Sequence, residues 1–324
     1  MPPRVANVED AARFLFAFAN GRATDHVSHA PMPLPQRVRI AEQLVHRLGW
    51  ESLDLGAIRR LVELAREEAR PGAGPVDNSP GALRRTVELT AANDFVFCGA
   101  ALLSMVAGAF GLKSGLHVRA TDGANVAAGA VLASIAGPSG ELRAAARLAH
   151  AFASQLSGIA TFARCHADLL GGGRTRLLDN GATTPGWSAL ERFALGCGGA
   201  WSGGESNGRI RIEADPRDTS NLAETVRRAR ESAPEAPVEL NVHRPEDFAA
   251  AVAADPDLIR LERFATGALR DAVACAGGRV FVEAHGAITM ANLEAHAGLG
   301  LDFVSVDGLA TDAARAPIEW NWRD

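Results

Sequence analysis

The sequence has almost no lysine. Of its 33 basic residues, every one but Lys113 is arginine. The C-terminal two thirds therefore offer no ammonium group to bind a phosphate or form a Schiff base. Cysteine is scarce as well. Cys98, Cys165, Cys197 and Cys275 are scattered, with no C-x-x-C pair, which argues against a disulfide framework and a zinc pattern. No apolar run approaches the roughly 20 residues that cross a bilayer. The first residues show no basic segment followed by an apolar core and a cleavage site. A net charge of −5 leaves no surplus of positive charge for nucleic acid or an anionic membrane. Together these absences point to a reducing, cytoplasmic setting and a small-molecule partner.

At 324 residues, 47% hydrophobic and 22% charged, the chain is long enough for about two domains with a sizeable core. Residues 1–70 read as helical. Ala11, Phe14, Leu15 and Phe18 share one face, Val38, Ala41, Leu44, Val45 and Leu48 a second, and Ile58, Leu61, Val62 and Ala65 a third. Pro71–Gly81 is a linker by composition. From Val87 to Ile135 short strands with glycine turns dominate, and Leu142–Leu170 is a long alanine-rich helical tract. Beyond it the pattern alternates. Strands are expected at Val238–Val242, Leu258–Leu261, Arg279–Glu283 and Phe303–Val306, and helices at Glu224–Ser232, Pro245–Ala253, Leu269–Ala276 and Asn292–Ala297. Repeated βα units imply a parallel sheet, and this many favour a barrel, whose ligands bind at the C-terminal ends of the strands.

Three segments are more specific: Gln155-Leu156-Ser157-Gly158-Ile159-Ala160-Thr161, then Thr183-Thr184-Pro185-Gly186, then Cys197-Gly198-Gly199. With Gly129–Pro138 and Phe303–Val306 they resemble, in order and spacing, the quinolinate phosphoribosyltransferases, also called nicotinate-nucleotide pyrophosphorylases (carboxylating). That family makes nicotinate mononucleotide from a pyridine dicarboxylate and phosphoribosyl pyrophosphate. The resemblance implies an α/β fold, an open-faced sandwich domain plus an incomplete α/β barrel, here with a helical N-terminal extension, and a homodimer. It divides the chain into extension and linker (1–80), a sandwich-like domain with the start of the long helix (81–150) and the barrel domain with the site (151–324). Arg147 falls where the family has an arginine that reaches the partner subunit's site.

The match weakens at the family's catalytic positions. Its "T-R-K-T-T-P-G" has Gly181 and Ala182 in place of Arg and Lys. Its "H-R" falls near Gly203-Gly204, and its "K-D-N-H" near Ile212–Pro216, where Glu213 and Asp215 stand. "E-V-E-V" keeps Glu239 and gains Asn241, and "L-D-N-F" becomes Leu261-Glu262-Arg263-Phe264. The phosphate loops "E-A-S-G-G-I" and "S-V-G-A" become Glu283–Ile288 and Ser305–Gly308, with Asp307 placing a negative charge beside the expected phosphate. These losses of positive charge predict a rewritten phosphoribosyl pyrophosphate site.

Glu239, Asn241 and His243 alternate along one strand, and Glu262, Glu283 and His285 come from the next two. The catalytic candidates are Glu239, His243, Glu262, Glu283 and His285. Such a set suits acid–base chemistry, or a divalent ion such as Mg2+, on a small planar or carboxylated substrate. Arg147, Arg174, Arg176, Thr183, Thr184 and Asp307 are the substrate-binding candidates. One alternative is a true phosphoribosyltransferase. Another is a non-catalytic ligand-binding or regulatory relative, with His285 filling space and the acids paired with Arg260, Arg263 or Arg279. Trp187 and Trp201 suit stacking on a planar substrate or plain packing, and Trp320 and Trp322 a last strand buried against the barrel or a neighbour.

Overall fold

The structure, a computed structural model, describes residues 30–69, 84–203, 208–215 and 221–323. The expected helix at Ala11–Phe18, the linker Pro71–Gly81, His26 and His29, Gly204 and Pro216 lie outside the described residues. In chain order the elements begin with α1 (Leu34–Leu44), α2 (Leu55–Ala69), β1 (Arg84–Ala91), β2 (Phe95–Val96), α3 (Ala100–Ala109), β3 (Leu116–Val118), β4 (Asn125–Val126), β5 (Val131–Pro138) and α4 (Ser139–Leu169). They continue with β6 (Arg176–Asp179), α5 (Ser188–Gly198), β7 (Trp201–Ser202), β8 (Ile210–Glu213), α6 (Leu222–Ser232), β9 (Val238–Val242) and α7 (Phe248–Ala253). The last are β10 (Leu258–Glu262), α8 (Thr266–Ala276), β11 (Phe281–His285), α9 (Met290–Ala297), β12 (Phe303–Val306) and β13 (Ile318–Arg323). No helix among the described residues is long and apolar enough to cross a membrane. The chain forms two compact units.

One unit combines Met1–His46, His166–Gly181 and Trp201–Asp307. Its sheet has seven parallel strands in the order β7-β6-β12-β11-β10-β9-β8, with β7 and β8 as edges, so the α/β barrel is incomplete. β9 is buried at every position, as expected of a parallel strand covered on both faces. Leu258, Phe281 and Phe303, the first residues of β10, β11 and β12, and Leu178 of β6 pack against Ile40, Ala41, Leu44 and Val45 of α1 and its end. That apolar layer closes the interior from below.

Pro35 in the first turn of α1 suits the helix start, where its missing N–H has no intrahelical partner to lose. The helix stops at Leu44, short of the expected Leu48. Val45 is extended, and His46 exchanges backbone hydrogen bonds with Ser202 at 3.1 and 2.8 Å. Arg37 is buried: it donates to Asp302 at 2.6 Å and to the Gly278 carbonyl at 2.9 Å, and its guanidinium lies 4.2 Å from the Phe281 ring centroid. Asp302 also accepts Arg174 and the Val282 N–H.

The other unit combines Arg47–Cys165, Ala182–Ala200 and Gly308–Asp324. Its main sheet is antiparallel, in the order β13-β1-β5-β3, and β2 pairs with β4. The Leu-Ser-Gly-Ile-Ala-Thr segment does structural work on α4. A Cβ on Gly158 would sit 2.1 Å from the Ala314 carbonyl oxygen. Ser157 Oγ accepts from the Cys98 N–H at 2.9 Å, and Thr161 Oγ1 from the Val96 N–H at 3.0 Å. Trp187 is half-buried and stacks on Phe152 with centroids 5.0 Å apart. Trp320 and Trp322 are half-buried on β13 beside β1, with the Arg85 and Arg143 guanidinium groups 5.8 and 5.7 Å from the Trp322 ring.

Candidate active site

Alternation along the parallel strands sets which side chains enter the half-barrel. Arg211 of β8 is in register with Glu239 of β9, and Glu213 with Asn241. Arg260 of β10 is in register with Asn241 on one side and Glu283 of β11 on the other, and Glu262 with His285. The interior thus has layers. Leu258 and Phe281 lie lowest, level with Glu239. Asn241, Arg260 and Glu283 come next, and Glu262 and His285 stand at the mouth.

Glu239 is fully buried and takes two guanidinium groups: Arg209 at 2.6 Å on Oε2 and Arg211 at 2.8 Å on Oε1. Burial opposes its ionisation, but Arg209, Arg211 and Arg260 outweigh that and hold the carboxyl below the usual range. Glu283 is buried as well. Its Oε1 accepts the Ser305 hydroxyl, and its Oε2 has no hydrogen-bond partner. Burial, reinforced by the negative charge of Glu239, pushes its carboxyl upward, against the pull of Arg260. Of the pair, Glu283 is the one whose surroundings favour the protonated form and Glu239 the one whose surroundings favour the ionised form. Around them Asn241 Oδ1 and His285 Nδ1 are also buried without a partner.

At the mouth His285 Nε2 lies 3.7 Å from Glu262, and burial together with Arg260 keeps the imidazole's pKa low and the ring neutral. His243 pairs with Glu213 at 3.0 Å, and Glu213 accepts Asn241 at 2.6 Å. Asp307 accepts from Asn180 at 2.6 Å. Three residues leave ordinary geometry at the strand ends. Gly286, Ala287 and Arg263 all have positive φ, at +79°, +56° and +58°. The Arg263 N–H donates to the His285 carbonyl at 2.8 Å, tying the ends of β10 and β11 together.

Five of the candidates are thereby brought into one interior: Glu239, Glu262, Glu283 and His285, with His243 at its edge. Arg174 is not: it precedes β6 and bonds Asp302 at the N-terminal end of the strands. Arg176, the first residue of β6, is in register with Phe303 and donates to the Gly173 carbonyl at 2.7 Å. Thr183, Thr184 and Arg147 belong to the other unit. There Thr183 bonds Ser188 at 2.6 Å, the Thr184 N–H donates to Glu191 at 2.7 Å, and exposed Arg147 donates to the Ala69 carbonyl at 3.2 Å. Trp201 packs on the apolar layer at the closed end of the half-barrel. Arg279 donates to the Ala276 and Cys275 carbonyls rather than to an acid. Among the described residues no group of three or more His, Cys, Asp or Glu side chains is arranged to hold a metal ion.

Two interior cations, Arg209 and Arg211, have no counterpart in the sequence reading, and the third, Arg260, was expected only as a partner of the acids, which it meets at 3.7 Å. Together they restore positive charge where loss of charge was expected. The signal was present: Gly-Arg-Ile-Arg-Ile-Glu and Leu-Ile-Arg-Leu-Glu interrupt strands that a covered parallel sheet would otherwise fill with apolar residues.

The half-barrel with a separate antiparallel sandwich is a fold already known among solved structures. A nicotinate-nucleotide pyrophosphorylase from Francisella tularensis superposes with a TM-score of 0.76 at 23% identity, over 84% of this chain and 98% of that one. Residues 159–318 match the family model described as the quinolinate phosphoribosyl transferase C-terminal domain, and the chain belongs to the quinolinate phosphoribosyltransferase family. A probable nicotinate-nucleotide pyrophosphorylase (carboxylating) from Synechocystis is 31% identical over 195 residues, 58% of this chain and 66% of that protein. The matched part is thus just under two thirds of that relative's length. The Mycobacterium leprae nicotinate-nucleotide pyrophosphorylase (carboxylating) is 29% identical over 59% of this chain and 69% of its own.

Proposed function

We propose that the chain is a phosphoribosyltransferase that moves the phosphoribosyl group of phosphoribosyl pyrophosphate onto the ring nitrogen of a pyridine-2,3-dicarboxylate, releasing pyrophosphate. The carboxylate beside that nitrogen then leaves as carbon dioxide to give nicotinate mononucleotide. The observation that carries this reading is the turn after β11. The family's phosphate loop has two glycines where this chain has Gly286 and Ala287. Ala287 nevertheless keeps the left-handed backbone, at φ +56° beside +79° for Gly286. A non-glycine residue holds that conformation at a cost of about 1 kcal/mol or more. The shape of an anion-binding turn is therefore retained although its second glycine is not.

The interior supplies the rest. Arg211 and Arg260 offer positive charge to an anionic substrate. Glu262 and Glu213 present carboxylate oxygens that accept from ribose hydroxyls, and the neutral His285 beside Glu262 takes or gives a proton at Nε2. Charge stabilisation and positioning carry most of such a transfer. As in the family, the working form is a homodimer in which Arg147, exposed on α4, serves the partner's site.

Purified protein with quinolinate, phosphoribosyl pyrophosphate and Mg2+ tests this, with nicotinate mononucleotide followed by mass. Turnover well above the no-enzyme control supports the reading. No product, with no thermal shift on adding phosphoribosyl pyrophosphate, overturns it. One observation favours a second reading, acid–base chemistry on a different carboxylated ring: Glu213 stands where the family's lysine is expected and pairs with His243. Replacing quinolinate by other heteroaromatic carboxylates in the same assay separates the two.

A further inference from the structure

We infer that Arg260 is the acceptor-binding residue of this site, a guanidinium fork that receives a ring carboxylate of the substrate and so replaces the Arg-Lys pair absent at Gly181-Ala182. The inference deepens the proposed function and rests on it for the identity of the acceptor.

Arg260 differs from Arg209 and Arg211 in making no hydrogen bond, although like Arg260 Nε the buried Arg209 Nε has no acceptor. Arg209 donates to Glu239 and to the Leu44 carbonyl, both at 2.6 Å, and Arg211 donates to the other oxygen of Glu239. Glu239 is therefore already satisfied on both sides. Arg260 reaches Glu239 and Glu283 only at 3.7 Å each, beyond hydrogen-bond distance, and its buried Nε has no acceptor. Its side chain is 13% exposed. An arginine so far from water, with a fork of donors and no acceptor, is costly unless a ligand supplies one.

Charge points the same way. Three guanidinium groups share the interior with two buried carboxyls, and burial favours the protonated form of one of these, Glu283. Below the level of Glu262 the surplus is positive, and Arg260 is the one of the three guanidinium groups with no hydrogen bond, meeting Glu239 and Glu283 only at 3.7 Å. Two groups beside it, Asn241 Oδ1 and Glu283 Oε2, are buried and unpartnered too, each on a strand adjacent to β10. A protonated Glu283 Oε2 offers a donor to the same oxyanion.

A phosphate and a carboxylate share this chemistry, and depth decides between them. Arg260 is in register with Glu283, whereas the left-handed turn begins three residues further along β11. At about 3.3 Å per residue that is roughly 10 Å nearer the open end. The phosphate belongs at the turn and the planar acceptor below it, where a guanidinium fork matches a carboxylate in two parallel hydrogen bonds.

Calorimetric titration of the full chain with pyridine-2,3-dicarboxylate, and separately with Mg2+–phosphoribosyl pyrophosphate, tests this without turnover. In Arg260→Met, dicarboxylate affinity should fall roughly 10- to 100-fold, phosphoribosyl pyrophosphate affinity should stay within about threefold, and the variant should remain folded in a thermal melt, since no hydrogen bond of the free chain is lost and Glu239 keeps Arg209 and Arg211. Arg260→Lys, which keeps the charge and loses the fork, should fall between. Unchanged dicarboxylate affinity in Arg260→Met, loss confined to phosphoribosyl pyrophosphate, or no dicarboxylate binding by the unsubstituted chain each overturns the inference. If the unsubstituted chain binds the dicarboxylate through Arg260 but forms no nucleotide, the transferase reading fails and the carboxylate site stands.

Discussion

Arg209 donates to Glu239 at 2.6 Å with the two side chains 2% and 0% exposed, a wholly buried ion pair in the floor of the half-barrel. Removing one partner strands the other away from water. Glu239→Gln should lower stability by about 3–5 kcal/mol, read as a shift in the urea midpoint at constant slope. The double variant Arg209→Met, Glu239→Leu should recover much of that loss. Equal losses for the single and double variants would show that the pair matters for shape rather than charge.

Glu283 and Glu239 give stability opposite dependences on pH. The folded-state carboxyl of Glu283 is raised by burial, so its contribution is fully present below the unfolded pKa and is lost as pH rises through the folded value. Glu239 is lowered, so its contribution is present above the unfolded pKa and fades as pH falls through the folded one. The stability difference between Glu283→Gln and the unsubstituted chain should therefore grow in favour of the variant as pH rises above the ordinary carboxylate range. Urea unfolding at a series of pH values checks this, and a difference independent of pH would refute it.

The turn after β11 should respond in opposite directions to two small substitutions. Ala287→Gly relieves a φ of +56° and should stabilise by about 1 kcal/mol. Gly286→Ala introduces a Cβ at φ +79° that would meet Glu262 Oε1 at 2.6 Å and Arg263 Cγ at 2.9 Å. It should destabilise the chain and weaken binding of any ligand that uses Glu262. Thermal melts of both variants, with and without phosphoribosyl pyrophosphate, separate the strain from the site.

The thiols should fall into three classes of accessibility to a thiol reagent. Cys165 and Cys275 are exposed, Cys197 is half-buried, and Cys98 is buried with its sulfur 3.7 Å from that of Cys197. Burial, with Cys197 beside it, pushes the Cys98 thiol well up, and the thiolate is the reactive form. An aromatic disulfide reagent should modify Cys165 and Cys275 at once, Cys197 more slowly and Cys98 only in denaturant. Rapid modification of Cys98 in the native state would contradict its burial.

Much of the barrel was legible because its strands are short apolar runs with helices between them. Val238–Val242 and Phe303–Val306 coincide with the observed strands, and Glu224–Ser232 differs from α6 by two residues. The site was harder to read. A motif comparison registers that Gly181 and Ala182 are not Arg and Lys, but it does not register an arginine arriving from a strand where the motif specifies nothing, as Arg260 does. Alternation placed Glu239, Asn241 and His243 on one face, since a period of two survives without tertiary information. Arg174 was misplaced for the complementary reason. Its nearness in sequence to the strand hid the fact that it stands at the strand's beginning, and only the end of a parallel strand meets the ligand.

The seating of α1 beneath the half-barrel also bears on how the chain acquires its structure. Arg37 closes on Gly278 and Asp302, partners 241 and 265 residues away, and the unit they share is assembled from three separated stretches of sequence. During synthesis the helix must therefore wait, its apolar face unmatched, until the chain past Asp302 has left the ribosome. At 5–20 residues per second that delay is on the order of tens of seconds. Throughout it Ile40, Leu44 and Val45 are open to other surfaces, which makes the interval before the last strands arrive the period of greatest exposure to misassociation and to chaperones.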